Sequence, residues 1–373
     1  MRLGFYTEGL PFEGDTLEKR ALGGSETAFI EITRSLAKLG HSVTVFNNCE
    51  KTAFYDGVTY HPFRQSLAIL ARTSFDVMVV SRFFGFFNLP IKATLKVLWN
   101  HDTLENPSAL RAIQDEIDIF FMLSRFHRDN YLTRLPLLDG RMVLTRNGLN
   151  LDLIKRASHG VCKDPLKLIY ASRPERGLKI LLENIWPRLL NFNPDLRLYL
   201  CGYEVDRNQL NPELLSLYDY LDLVVKTDPK IVILGALPKI EYYRHLAQAA
   251  LLVYPCIFPE ISCIVSLEAQ ALATPILTSN SYALSESVVT EKFKVPGKPG
   301  TSNYIQNFVE RAITLLSHRE KTQELANLAQ EKILAYYSWD KIALEWERIF
   351  SLSLRAREMK KSGNQGYLRK NRD

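Results

Sequence analysis

Short β-branched and aromatic runs alternate with longer stretches of helical period along most of the chain. In the first half this pattern predicts strands over residues 3–6, 42–46, 77–80, 95–100, 119–122 and 142–144. A helix is expected over 25–39, where Ala28, Ile32, Leu36 and Leu39 share one face and Gly40 supplies the stop. The second half repeats the alternation, with strands at 166–170, 196–201, 231–234, 251–254 and 275–278 and helices at 177–191, 239–249 and 262–273. Such alternation is the mark of parallel α/β layers. Two series of similar size predict an α/β chain of two Rossmann-like domains. Helices at 304–316 and 320–337 follow the second sheet. A last one at 339–355, with Trp339, Ile342, Trp346 and Ile349 apolar, is expected to return to the first domain. The expected division is a first domain over 1–155, a second over 156–337, the returning helix over 338–355 and a mobile basic tail over 356–373.

Composition narrows the class. Of 373 residues, 46% are hydrophobic, enough for a core in each of two domains. The net charge is +6, but seven basic and two acidic residues from Arg355 onward leave +5 of it in the tail. The body is therefore close to neutral, which argues against a nucleic-acid partner. The tail reads either as solvated or as a contact for anionic lipid head groups. Five cysteines without a CxxC or a Cys/His spacing read as reduced cytosolic thiols. No apolar run approaches the ~20 residues of a membrane span, and the N-terminus reads as a first strand rather than a signal peptide.

Chemistry is expected where strands end. Gly23-Gly24 precedes a helix start that offers free N–H groups to a phosphate; alternatively it is a turn capped by Ser25. Arg173 and Arg176 follow a strand, and two guanidinium groups three residues apart suit a diphosphate. The competing reading is a surface ion pair with Glu175 and Glu183. Glu260 follows another strand, and Glu268 lies two turns into the next helix on an apolar face. Ionised carboxylates are acceptors for sugar hydroxyls, so Glu260 suits a donor sugar and Glu268 a ribose. The N–H groups of Cys263 and Ile264 would point at phosphate between them. Alternatively Glu268 is a buried glutamate satisfied by the backbone. His101, beside Asp102 at a strand end, is placed to hydrogen-bond a substrate hydroxyl or is structural. The aromatic loop Phe83–Phe87 suits core packing, sugar stacking or a membrane surface. No nucleophile elbow, Walker loop, zinc motif or Asp-x-Asp metal motif at a strand end is present.

Taken together, these residues resemble the retaining glycosyltransferases of family four, which have the GT-B fold of two Rossmann-like domains facing across a cleft. Gly23-Gly24, His101-Asp102, Asn147-Gly148-Leu149-Asn150, Arg173 with Arg176, Glu260 with Glu268, and Glu286 match the family's motifs in order. Ser262-Cys263 departs from the usual Phe-Gly, and Asn150 stands for the usual aspartate.

The resemblance implies a first domain that binds the acceptor and a second that binds the nucleotide sugar. It implies transfer of a hexose-type sugar from a UDP-sugar or GDP-mannose to a glycan or lipid-linked acceptor. It assigns catalytic roles to Glu260, His101, Arg173 and Arg176, and donor contacts to Gly23, Gly24, Cys263, Ile264 and Glu268. No divalent metal and no cofactor are expected, and the setting is cytoplasmic, with peripheral membrane contact through the basic tail or the aromatic loop. The rival readings are a nucleotide-sugar epimerase of the same shape and a catalytically silent nucleotide-sugar-binding protein.

Overall fold

The structure, a computed structural model, describes residues 1–202 and 207–370, without the side chains of 209 and 360–370. Two compact units form. The first comprises residues 1–15, 25–146 and 339–373; the second comprises 16–24 and 147–338. The chain passes into the second unit at Asn147, nine residues before the expected boundary, and segment 16–24 clusters with the second unit instead of the first.

The first unit holds an eight-stranded sheet: β1 (Arg2–Tyr6), β2 (Ser42–Asn47), β3 (Ala53–Tyr55), β4 (Val58–Pro62), β5 (Phe75–Ser81), β6 (Ala93–Trp99), β7 (Ile119–Met122) and β8 (Met142–Leu144). The spatial order is β3-β4-β2-β1-β5-β6-β7-β8. All pairs are parallel except β3 with β4. That hairpin was not expected. It turns on Asp56-Gly57, whose φ values of 48° and 81° are both left-handed, as a two-residue turn between twisted strands requires. The central strands are apolar on both faces because both faces are covered: Leu3, Phe5, Val45, Val77 and Val79 are buried on one side and Tyr6, Phe46, Met78 and Val80 on the other.

The helix Trp339–Lys370 clusters with this first unit. Trp346 carries it: the indole is fully buried, with ring centroids 4.9 Å from Trp99 and 4.5 Å from Phe121. Its Nε1 donates to Thr145 Oγ1 at 2.8 Å. At the adjacent positions, Arg146 donates twice to Glu345, at 2.6 and 2.7 Å. The helix continues beyond Arg355, where a mobile tail was expected. Residues 371–373 lie outside the described residues. Among the described residues no helix is long and apolar enough to cross a membrane.

The second unit holds a six-stranded, all-parallel sheet: β9 (Asp164–Ala171), β10 (Arg197–Cys201), β11 (Ile231–Gly235), β12 (Ala249–Tyr254), β13 (Ile276–Ser279) and β14 (Lys294–Val295). The order is β11-β10-β9-β12-β13-β14. The chain winds outward from β9 to β11, then crosses back to β12 and winds the other way. The switch point therefore lies between β9 and β12, where open α/β sheets bind ligands beyond the carboxyl ends of the strands. The helix expected over 177–191 is interrupted by a π-helical turn, Leu181–Ile185, before it resumes as Trp186–Phe192. Pro187 explains the break: it has no N–H to donate, and its ring clashes with the turn before it.

Candidate donor site

The site grows from two loops on either side of the second unit's switch point. After β9 the chain runs Arg173-Pro174-Glu175-Arg176-Gly177; after β12 it runs from Pro255 to Cys263. Gly177 locks them together. Its φ is +136°, and a Cβ there would run into the carbonyl oxygen of Pro255. Ile257 N donates to Arg176 O at 3.1 Å, closing the same contact. Only glycine allows this approach without strain.

That contact brings Arg176 to Glu260. Arg176 Nη1 donates to Glu260 Oε1 at 2.9 Å, and Tyr254 OH donates to the same oxygen at 2.7 Å. The guanidinium also lies over the Phe258 ring, 4.1 Å from its centroid. Glu260 is buried and held at its backbone too, where Ala283 N donates to its carbonyl at 3.0 Å. Burial, followed by the Glu260 charge, pushes the Tyr254 phenol well above its ordinary 10, so it remains a donor. Glu260 thus pairs with Arg176, while Glu183 pairs with Lys179 at 3.9 Å. Arg173 instead meets Glu175 at 2.5 Å on a half-exposed rim, which is one of the two pairings the surface reading expected.

Glu268 is 1% exposed, in the helix Ile264–Ala271. Side chains, not the backbone, answer its charge: Lys239 Nζ lies 2.5 Å from Oε1 and Tyr243 OH donates to it at 3.0 Å. Oε2 has no hydrogen-bond partner among the described residues. A buried acceptor left unmade costs about 1–3 kcal/mol, which a ligand hydroxyl reaching it would recover. Between the two glutamates, Cys263 is the N-cap of the 264–271 helix, and its side chain caps no N–H. Burial, then Glu260, holds the Cys263 thiol well above its ordinary 9, so it stays protonated and its place in the site rests on its backbone.

Gly24 also belongs to the second unit, and a Cβ on it would approach Ile264 Cδ1 to 3.2 Å. Gly24 begins the helix Gly24–Lys38, one residue earlier than expected. Ser25 lies inside that helix and donates to Glu26 Oε2 at 3.0 Å instead of capping it.

Residues 166–318 match the profile of the family described as "Glycosyl transferases group 1". The lipopolysaccharide 1,2-N-acetylglucosaminetransferase of Salmonella typhimurium is 24% identical over 237 residues, covering 60% of this chain and 59% of that protein. The match thus spans less than two thirds of this curated relative. Among solved structures, sucrose-phosphate synthase from Thermosynechococcus elongatus matches with a TM-score of 0.73 at 17% identity, over 95% of this chain and all of that one. Anabaena Alr3699/HepE in complex with UDP and glucose matches with a TM-score of 0.68 at 15% identity, over 94% and 99% of the two chains. The shared fold is GT-B, two α/β units with parallel sheets.

Within the second unit, Tyr254, Phe258, Gly177, Lys239 and Tyr243 carried no mark in the sequence. Tyr254 is the last residue of β12 and Lys239 the first of the helix Lys239–Gln248, so both sat at positions that face a switch-point ligand. The spacing of the motifs carries no trace of them.

His101 lies in the first unit, at the carboxyl end of β6, and so is not among the residues the second unit brings together. The loop bearing it is held on all sides. Asn100 Oδ1 accepts from His101 N at 3.0 Å, and Asn130 Oδ1 accepts from Leu104 N at 2.8 Å. The neighbouring Asp102 is taken by Arg82, which donates to both of its carboxylate oxygens, at 2.7 and 3.1 Å. His101 Nε2 is buried with no hydrogen-bond partner among the described residues. Burial first, then the charges of Arg82 and His127, hold the His101 pKa well below 6.5, so the imidazole is neutral at pH 7. The aromatic loop turns inward: Phe86 and Phe87 are buried, and Phe86 stacks on Tyr6 at 3.6 Å.

His127 fastens this loop from below. Its Nδ1 accepts from Leu123 N at 3.2 Å, which leaves the proton on Nε2 to donate to Asp102 O at 3.1 Å. Burial pushes its pKa down to about 4. The unfolded chain therefore binds a proton near pH 6.5 that the folded chain refuses until about 4. Stability attributable to His127 is full above pH 6.5 and falls as pH drops toward 4, by about 3 kcal/mol. Thermal melts across that window should show the loss, with a shallower slope in His127→Gln. Parallel slopes in the two proteins would place the titration elsewhere.

Proposed function

We propose that the chain is a retaining glycosyltransferase of the family-four type, moving a hexose-type sugar from a UDP-sugar or GDP-mannose to a glycan or lipid-linked acceptor. The observation that carries this reading is the Arg176–Glu260–Tyr254 cluster at the switch point, beside an uncapped helix N-terminus and the open Oε2 of Glu268. Arg176, with Arg173 at the rim, and the N–H groups of the 264–271 helix, including Ile264 N, stabilise charge on a leaving diphosphate. Glu260 accepts hydroxyls of the donor sugar, and Glu268 accepts a ribose hydroxyl. Gly23 and Gly24 let backbone approach the phosphates. His101, neutral and with a spare nitrogen, is available to a substrate hydroxyl in the first unit, which binds the acceptor.

In the reaction the bond from the anomeric carbon to the phosphate oxygen breaks, and the nucleoside diphosphate leaves with the electron pair. A bond from the acceptor oxygen to the same face of that carbon forms, and the acceptor proton passes to a phosphate oxygen. No protein group is required as base. Two arginines and a helix N-terminus supply the positive charge that a metal supplies elsewhere, so no divalent ion is needed. Turnover should survive EDTA; a strict requirement for manganese or magnesium would contradict this. The family match names transfer, which leaves the epimerase reading without support.

Anabaena HepE binds UDP and glucose, and the Salmonella relative is named for N-acetylglucosamine transfer. Both favour UDP-sugars as the first donors to test. Five free thiols support a cytoplasmic setting. A thermal-shift screen of UDP- and GDP-sugars tests donor binding. One nucleotide should raise the melting temperature in the wild type and fail to do so in Arg176→Ala. An anomeric configuration inverted in the product would overturn the retaining assignment.

A further inference from the structure

The helix Trp339–Lys370 has a second face that the donor site does not use. Ile342, Ala343, Trp346 and Phe350 point into the first unit and are buried. On the opposite side the exposed positions are Lys341, Leu344, Arg348, Leu352, Arg355 and Met359. Each follows the last by three or four residues, the spacing that keeps side chains on one stripe of a helix. Cationic and apolar residues therefore alternate along about 27 Å of helix. The apolar members are strongly exposed: Leu344 at 51%, Leu352 at 56% and Met359 at 72%.

The acidic residues nearby are mostly engaged elsewhere. Glu345 is held by both terminal nitrogens of Arg146, Glu347 lies 3.3 Å from His41, and Asp340 accepts from Ser35. Glu358 is the exposed acid at the edge. The stripe thus keeps a positive balance, and the sequence after it adds Lys360, Lys361, Arg369, Lys370 and Arg372.

We propose that this stripe lies on an anionic lipid surface, with Leu344, Leu352 and Met359 entering the head-group boundary and Arg348 and Arg355 meeting lipid phosphates. Three features select this partner. A second copy docked stripe to stripe would set like charges against each other. A nucleic acid would use the cations but leave three large apolar side chains in water. A membrane interface takes both kinds at once, because long cationic side chains reach the head groups while apolar neighbours insert. The proposal is independent of the donor-site reading, since no residue is shared.

The test is co-sedimentation of the full chain with phosphatidylcholine vesicles, with and without about one third phosphatidylglycerol. The protein should pellet with the anionic vesicles only, and less as salt rises. Arg348→Gln with Arg355→Gln should weaken partitioning about 25-fold, taking roughly fivefold per cation near the surface. Arg348→Lys with Arg355→Lys should restore it. Leu352→Ser with Met359→Ser should weaken it without changing its salt dependence. Unchanged donor-induced thermal shifts would show that the variants are folded. Equal binding to neutral vesicles, no binding at all, or unchanged binding in both the glutamine and serine pairs would overturn the proposal. So would self-association of the wild type that Leu352→Ser abolishes.

Discussion

Glu260→Ala is expected to lower sugar transfer by about 10²–10³-fold while leaving the fold intact, the scale seen when one charge-stabilising group is removed from an active site. Two losses combine. The donor sugar loses its acceptor, and Arg176 loses the carboxylate that aims it, since Nη1 is held 2.9 Å from Glu260 Oε1. Tyr254 OH loses its acceptor as well, keeping the hydrogen bond it accepts from Ser172 Oγ. Glu260→Gln keeps the shape and one acceptor oxygen, so it should separate the two effects. If aim dominates, Gln should be nearly as damaged as Ala; if hydroxyl binding dominates, Gln should recover part of the rate. The measurement is transfer rate at saturating donor, with circular dichroism to verify folding. Wild-type rates in Glu260→Ala would move the site elsewhere.

Arg176→Ala is expected to cost a similar factor and to raise the donor concentration needed for half-maximal rate. Removing the guanidinium takes away charge from the leaving diphosphate and leaves the buried Glu260 carboxylate with Tyr254 as its hydrogen-bond partner among the described residues. Arg176→Lys should be milder, because it keeps a positive charge, yet still impaired, because an ammonium does not reproduce the planar guanidinium over the Phe258 ring. Arg173→Ala should also abolish most turnover, although Arg173 now pairs with Glu175 and must leave that partner to meet a phosphate. If Arg173→Ala is near wild type while Arg176→Ala is dead, the diphosphate is held by one arginine rather than two.

Much of the architecture was legible because parallel strands buried on both faces advertise themselves as short apolar runs. β1, β2, β9 and β12 fall within a few residues of expectation. The β3–β4 hairpin escaped because its strands are short and only Val58, Tyr60 and Pro62 of it are buried, yet Asp56-Gly57 was a readable turn. The helix Pro212–Thr227 escaped too, although Asn211 caps it by accepting from Leu214 N at 2.8 Å and Pro212 opens it. The π-helical turn before Trp186 was foreshadowed by Pro187.

The site was legible in type and not in pairing. Strand-end position marked Arg173, Arg176 and Glu260 from the chain alone. That Arg176 and not Arg173 would meet Glu260 depends on a contact across 84 residues, set by Gly177 against Pro255. No local pattern encodes such a choice. Likewise the carboxylate of Asp102 went to Arg82, twenty residues away in sequence, because β5 and β6 are sheet neighbours.

Under the proposed function, the second unit's switch point transfers sugar from a nucleotide donor. This is tested most directly by release of free nucleoside diphosphate from UDP- and GDP-sugars, with and without glycan acceptors, in wild type and Glu260→Ala. The expected result is release from one donor, accelerated by an acceptor, and lost in the variant. Epimerised donor without release, or release undiminished in Glu260→Ala, would contradict it.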